Sequence, residues 1–516
     1  MRVFLSLLNR FRHDRAGNIA VIFGIAAVPL LTAVGCAVDY SMATRMRTKL
    51  QSAADGAAVA SISQKSPGFV AASAMTTDGP VTAGVTDANA VFDGNMNGVT
   101  GYNNLSRNST VTKTGMKLAS TVTFSAEVPT SFMKVVGFQK VTVTGTSKAS
   151  ASLPPYLDFY LLLDVSGSMG LPSTTAEAVR MQNINPDNFR QYPTGCTLAC
   201  HFSPQNSACT DSGTQGYPTN NYCLGYAISR VSQSGYAGLL SGTTVNSTYP
   251  AGKKLPNSIV TGLPNSLYSN LATVANCPTT GTDACIQLRL DAVGNAVNQL
   301  FITANSSMKV ANQFRIGIYP FIQYLNANYF PLTSSINGSA TNPSTINYAA
   351  ANLASLLDTN MDASLGSGGT HIDTAITSMN SAIASVGTGA ASNNTLPYVF
   401  LVTDGAQDPQ TKGVPNGGWN GSNHATVIDP SVCTALKSRG IIVSVLYIPY
   451  QPINPVNTSF ANNEDSFANW NIPNIPASLK GCASTDFFYT ANSPDDITAA
   501  LNAMFNRALS TAHITN

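Results

Sequence analysis

From Ile19 to Val38 the chain runs uncharged and almost wholly apolar, enough residues to cross a bilayer as a helix. Beyond it, "DYSMATRMRTKLQSAADGAAVA" keeps a helical period, with Tyr40, Ala43, Met46, Leu50, Ala53, Ala54 and Ala57 on one side. The helix is predicted to continue to about Ser61, either as a solvent-facing stalk or as a helix that packs against neighbours. Residues 62–153 then change period. In "TVTFSAEV" the side chains of Val122, Phe124, Ala126 and Val128 share one face and Thr121, Thr123, Ser125 and Glu127 the other, and "VTVTGTS" repeats the alternation. A small β-rich segment follows, closed by the stiff "LPPY" boundary.

Residues 154–516 alternate strand and helix. "YLDFYLLLD" is a nearly continuous apolar run, as expected of a strand covered on both faces. Leu290, Val293, Val297, Leu300 and Phe301 lie at helical spacing, followed by the strand "FRIGIYPFI". A helix after "GGTHIDTAI", the strand "YVFLVTD", a helix around "PSVCTALKSRG", the strand "IIVSVLYI", the strand "DFFYTA" and a helix from about Pro494 to Leu509 complete the series. Repeated units of this kind predict a doubly wound, Rossmann-like α/β domain whose ligands bind beyond the carboxyl ends of the strands. Residues from about 171 to 286 interrupt the alternation. They are rich in Gly, Ser, Thr, Asn and Pro, too long for a simple connection, and read as an inserted subdomain.

Charge narrows the functional classes. Only 10% of the 516 residues are charged, 27 basic against 25 acidic, so no concentrated basic face exists for nucleic acid. Ser, Thr, Asn, Gly and Ala stand where a cytosolic enzyme usually carries Lys and Glu, the pattern of an exported protein. Arg2, Arg10, Arg12 and Arg15 precede the apolar run, which orients a single span with its N-terminus in the cytoplasm. A cleaved signal peptide is the rival reading. Cys36 lies within the run; "AVGC" has Ala33 where a lipoprotein acylation site expects Leu.

Eight further cysteines follow: Cys196, Cys200, Cys209, Cys223, Cys277, Cys285, Cys433 and Cys482. An even number in an exported region points to disulfides, six of them pinning the insertion with their pairing open. Zinc on Cys196, Cys200 and His201 is the weaker alternative, because no second close cysteine pair completes a tetrahedral site.

Candidate chemistry sits at strand ends. Asp164, Ser166 and Ser168 in "DVSGS" close the first strand of the α/β domain, Asp404 in "VTDG" closes another, and Thr370 lies in the loop "GSGGTHID". Five oxygen donors with few carboxylates suit a hard cation such as Mg²⁺, or Mn²⁺ or Ca²⁺. Asp and Ser also commonly start turns and cap helices, so each piece alone is ordinary. His371 and Asp373 are read as first-turn helix residues, Thr403 and Gly405 as loop-shaping. No nucleophile, base and orienter can be assembled from the five histidines, so no enzymatic role is expected.

"DVSGS", a loop threonine and "TDG" in this order resemble the metal-ion-dependent adhesion site of von Willebrand factor type A (vWA) domains, over about residues 156–510. That resemblance implies that Asp164, Ser166, Ser168, Thr370 and Asp404 hold the ion, Asp404 often through water. It also implies that an acidic side chain of a protein ligand fills the open position, with no bond made or broken. The stretch "RAGNIAVIFGIAAVPLLTAVGCAVDY" with "RTKLQSAADGAAVA" resembles the N-terminal segment of TadG-like Tad (Flp) pilus-assembly proteins, some of which carry a type A domain. Ile22 occupies the place, counted from Gly17, where related pseudopilins carry Glu, which speaks against prepilin-peptidase processing. Cys433 and Cys482 resemble the cysteine pair of TadG-like type A domains, which implies a mutual disulfide.

Three expectations compete. The first is an adhesin anchored in the bacterial inner membrane, its later domains in the periplasm, at the cell surface or in a pilus, with the insertion selecting the ligand beside the metal. The second is an assembly factor that docks other pilus subunits. A cytosolic type A subunit working with an ATPase is the third, and the membrane run and cysteines argue against it.

Overall fold

The computed structural model describes residues 17–171, 173–174, 288–336, 353–358, 362–414, 418–420, 424–450, 452 and 464–512. The insertion cysteines Cys196, Cys200, Cys209, Cys223, Cys277 and Cys285 lie outside the described residues. The chain forms two compact units, Met1–Leu153 and Pro154–Asn516.

In the first unit a helix α1 (Gly17–Ala60) carries the apolar run. Its large apolar side chains from Val21 to Val38 are exposed, and its hydropathy and length suit a membrane span. Further along, the helical stripe turns inward: Ala43, Met46, Leu50, Ala53, Ala54 and Ala57 are buried, whereas Tyr40 is exposed. The stripe packs on the chain's own sheet, so this half of α1 is not a bare solvent-facing stalk. That sheet runs in the order β1 (Gly79–Pro80), β2 (Asn103–Thr114), β3 (Lys117–Pro129), β4 (Lys140–Ser152), antiparallel throughout. Val122, Phe124, Ala126 and Val128 of β3 are buried in one core with α1.

Two helices depart from the β-rich reading of this segment: α2 (Pro67–Ala74) and α3 (Thr82–Met96). Ser66 caps α2 by accepting the Phe69 amide at 3.0 Å, with Pro67 at the first helical position. In α3 the Thr, Val, Asp, Asn and Gly content argues against a helix. Burial of Gly84, Ala88, Phe92 and Met96 along one i, i+4 stripe outweighs that propensity.

The second unit is built on a six-stranded sheet. Its strands are β5 (Leu157–Asp164), β6 (Phe314–Phe321), β7 (Phe330–Thr333), β8 (Leu396–Thr403), β11 (Ile442–Tyr447) and β12 (Phe488–Thr490), in the order β12-β11-β8-β5-β6-β7. Five strands run parallel, and β7 adds antiparallel at one edge. A two-stranded hairpin, β9 (Thr411–Lys412) and β10 (Trp419–Asn420), stands apart from this sheet. All eight residues of β5 are buried, and alternate ones enter different cores. Leu157, Phe159, Leu161 and Leu163 pack with α4 (Arg289–Ser307) and α9 (Pro494–Ala512). Tyr160 and Leu162 share a core with α5 (Ile372–Ala382), α6 (Thr434–Ser438) and α8 (Ile475–Cys482).

The helix read around "PSVCTALKSRG" is shorter than expected: a 3-10 turn at Pro430–Cys433 leads into α6, and Gly440 at φ 85° ends it. One further helix, α7 (Glu464–Asn471), precedes α8. Cys433 and Cys482 form a disulfide with Cα atoms 5.2 Å apart, joining the start of α6 to the end of α8. The carbonyl of Leu171 accepts the Arg289 amide at 2.9 Å, so the intervening residues leave and rejoin the domain at one point.

Candidate metal centre

The parallel register brings the carboxyl ends of β5 and β8 side by side, with Leu163 opposite Val402. The polypeptide then turns away from the sheet on both strands, which leaves Asp164 and Asp404 at a common rim. Both are fully buried. Asp164 is held from two sides: its Oδ1 accepts the Ser166 amide at 2.9 Å, and its Oδ2 accepts the Thr403 hydroxyl at 2.7 Å. The Thr403 Oγ1 in turn accepts the Gly405 amide at 2.9 Å. Gly405 has φ 83°, and a Cβ there would fall 2.4 Å from Ile475, so only glycine fits this turn. Ser166 and Ser168 bring their hydroxyl oxygens within 3.4 Å of each other.

Four of the five residues read from sequence are therefore gathered: Asp164, Ser166, Ser168 and Asp404. Thr370 is buried in the glycine-rich loop, where its backbone bridges Asp408, donating at 2.8 Å and accepting at 2.9 Å. Its loop reaches the rim through Asp358, which sequence reading missed. The Asp358 amide donates to the Val165 carbonyl at 3.2 Å, and its carboxylate accepts the Ser367 hydroxyl at 2.7 Å and the Gly368 amide at 2.9 Å. Asp358 thus ties the glycine-rich loop to the "DVSGS" turn. His371 bonds the Gln410 carbonyl through Nε2 at 2.9 Å, and Asp373 accepts Gln407 at 2.8 Å. Both fix the start of α5.

Electrostatics set the condition of the site. Burial pushes the Asp164 carboxyl well above the ordinary carboxylate range, and the nearby Asp404 charge adds to it, against the hydrogen bonds from Ser166 and Thr403. Burial raises Asp404 too, opposed first by Arg289 and then by the Ser168 hydroxyl and the Ala406 amide. Arg289 is the second residue missed: its Nη1 lies 3.3 Å from Asp404 Oδ2, both side chains are buried, and its guanidinium sits 5.6 Å from the Tyr450 ring centre. The only sequence signal was a single cation between Leu288 and Leu290 in a chain poor in charge. Asp404 Oδ1 is buried with no hydrogen-bond partner among the described residues. Two crowded carboxylates, two hydroxyls and an orphaned oxygen fit a small divalent cation. Among the described residues no group of three or more His, Cys, Asp or Glu side chains is placed to hold a metal ion, and the rim itself contributes two carboxylates.

The family model described as Tad, Flp pilus-assembly TadE/G-like, matches residues 17–65, the length of α1 and the turn after it. No curated protein matches the chain. Among solved structures, the pilus adhesin SpaC of Lactobacillus rhamnosus GG in its open conformation aligns at 11% identity and TM-score 0.31, covering 80% of this chain and 35% of that one. The chain thus spans about a third of the length of that adhesin. The PilB minor pilin of Streptococcus sanguinis aligns at 9% identity and TM-score 0.31, covering 79% and 78% of the two chains. The vWF domain of the type V pili tip protein Mfa5 from Porphyromonas gingivalis aligns at 11% identity and TM-score 0.25, covering 44% of this chain and 89% of that one. None of these scores reaches the range of a shared fold.

Proposed function

We propose that the chain is an inner-membrane-anchored protein of a bacterial Tad pilus system. In this reading its second unit is a doubly wound vWA domain that binds a protein ligand through a divalent cation. The observation that carries the metal reading is the pairing of fully buried Asp164 and Asp404 beside Ser166 and Ser168, with Asp404 Oδ1 left unpartnered. The Tad match over 17–65 supports the pilus setting.

Asp164, Ser166, Ser168 and Asp404 would hold Mg²⁺, with Thr370 completing the set from the neighbouring loop. Bound there, the ion supplies an electrophilic position for a ligand carboxylate. The chain's own residues keep that position available. Thr403 and the Ser166 amide orient Asp164, Asp358 holds the threonine loop at the rim, and Arg289 balances Asp404. The span would orient the N-terminus to the cytoplasm and the chain beyond it to the periplasm, and binding involves no chemical transformation.

The Tad match equally favours an assembly factor whose second unit docks pilus subunits. A pull-down from envelope extract with the full chain, first in Mg²⁺ and then in chelator, separates the two. Adhesion predicts a surface or foreign ligand released by chelator. Pilus subunits retained in both conditions would establish the assembly role in its place.

A further inference from the structure

The turn between β3 and β4 carries an exposed apolar tip. Phe132, Val135, Val136 and Phe138 are 50%, 80%, 49% and 59% exposed. They are held in a fixed shape: the Thr130 amide donates to the Gln139 carbonyl at 3.1 Å, and a 3-10 turn at Met133–Val136 ends on Gly137 at φ 94°. The tip is also fixed in place on α1. The buried Asp39 carboxylate accepts the amides of Ser131, Phe132 and Met133 at 3.1, 2.8 and 2.7 Å. Phe132 lies against Gly35, where a Cβ would fall 2.5 Å from its own Cβ.

These two attachments set a depth. Asp39 is the first charged residue after the apolar run of α1, and Gly35 lies one turn back into it, about 6 Å. The aromatic ring therefore sits on the apolar side of the boundary, and the turn cannot leave that level without giving up three hydrogen bonds. The exposed side chains of α1 from Val21 to Val38 continue the same apolar surface. Lys134, in the turn, is exposed, and Lys140 beyond it pairs with Glu127. Apolar side chains next to a lysine at the end of a span are the composition of a segment lodged at the lipid interface.

We propose that residues 131–138 are a membrane-interface anchor, with Phe132, Val135, Val136 and Phe138 entering the edge of the bilayer that α1 crosses and Lys134 meeting lipid phosphate. The inference rests on the reading of α1 as the membrane span. It gives the first unit a second point of attachment to lipid, so that α1 and the sheet hold a set height at the surface.

The test uses the full chain reconstituted into phosphatidylcholine and phosphatidylglycerol vesicles, comparing wild type, which carries two tryptophans, with Val135→Trp. The added emission should be blue-shifted and lose most of its intensity with lipids brominated near the glycerol end of the acyl chain. Adding Asp39→Ala should release the turn and restore much of that intensity. Water-like emission insensitive to bromination, in a chain that does float with the vesicles, would overturn the anchor and leave the span intact. Blue-shifted emission without quenching would show a protein covering the turn and also overturn it. A chain that never partitions into the vesicles would remove the span and the anchor together.

Discussion

Arg289 determines how the second unit tolerates two buried carboxylates at one rim. Its guanidinium pairs with Asp404, and its removal leaves a buried carboxylate without its ion-pair partner. Breaking such a pair costs about 3–5 kcal/mol. Arg289→Gln should therefore lower the melting temperature of the second unit in chelator by several degrees, and Mg²⁺ should recover most of the loss by replacing the missing positive charge. Thermal melts with and without chelator check this, and a melt unchanged by the substitution in chelator would show that Arg289 does not stabilise the pair. Asp164, Ser166, Ser168 and Asp404 were legible in the sequence because each stands at or within four residues of the end of an unmistakable strand, which dictates the place of the side chain. Arg289 and Asp358 were not. Each is a lone charge with no periodic or local signature, brought to the rim by the return of the chain to Leu171 and by the course of a loop.

At the scale of elements, the strands of both units follow from the apolar pattern, since period two and fully apolar runs have few competing structures. The two early helices escaped it because their stability comes from one buried stripe rather than from propensity. Phe92→Ala should expose this: the ring is fully buried against Phe124, 6.4 Å between centroids, and its loss should cost about 3–5 kcal/mol in urea unfolding of the first unit. A cost below about 1 kcal/mol would mean that α3 does not depend on that stripe. Asp39 serves the turn after β3 in a comparable way. Asp39→Ala leaves the amides of Ser131, Phe132 and Met133 without their acceptor. Hydrogen exchange at those three amides should quicken while exchange in the centre of β3 stays slow; unchanged exchange at all three would contradict the cap.

For the whole molecule, the sequence pattern located the interruption after Gly170, and the structure adds that its two ends meet through Leu171 and Arg289. Ends this close can be joined by a short connection. Replacing residues 175–287 with a short Gly/Ser linker should leave the melt of the second unit within a few degrees of wild type, whereas a collapse of the melt would show that the core depends on the removed residues. The rim beside that junction carries the account's central claim, that the second unit holds a divalent cation. The most direct measurement is calorimetric titration of Mn²⁺ and Mg²⁺ into the detergent-solubilised full chain and its Asp164→Ala variant. The account predicts saturable binding of one ion per chain that disappears in the variant while the melt in chelator stays cooperative. Absence of saturable binding in the wild type, or binding unchanged by Asp164→Ala, would contradict it.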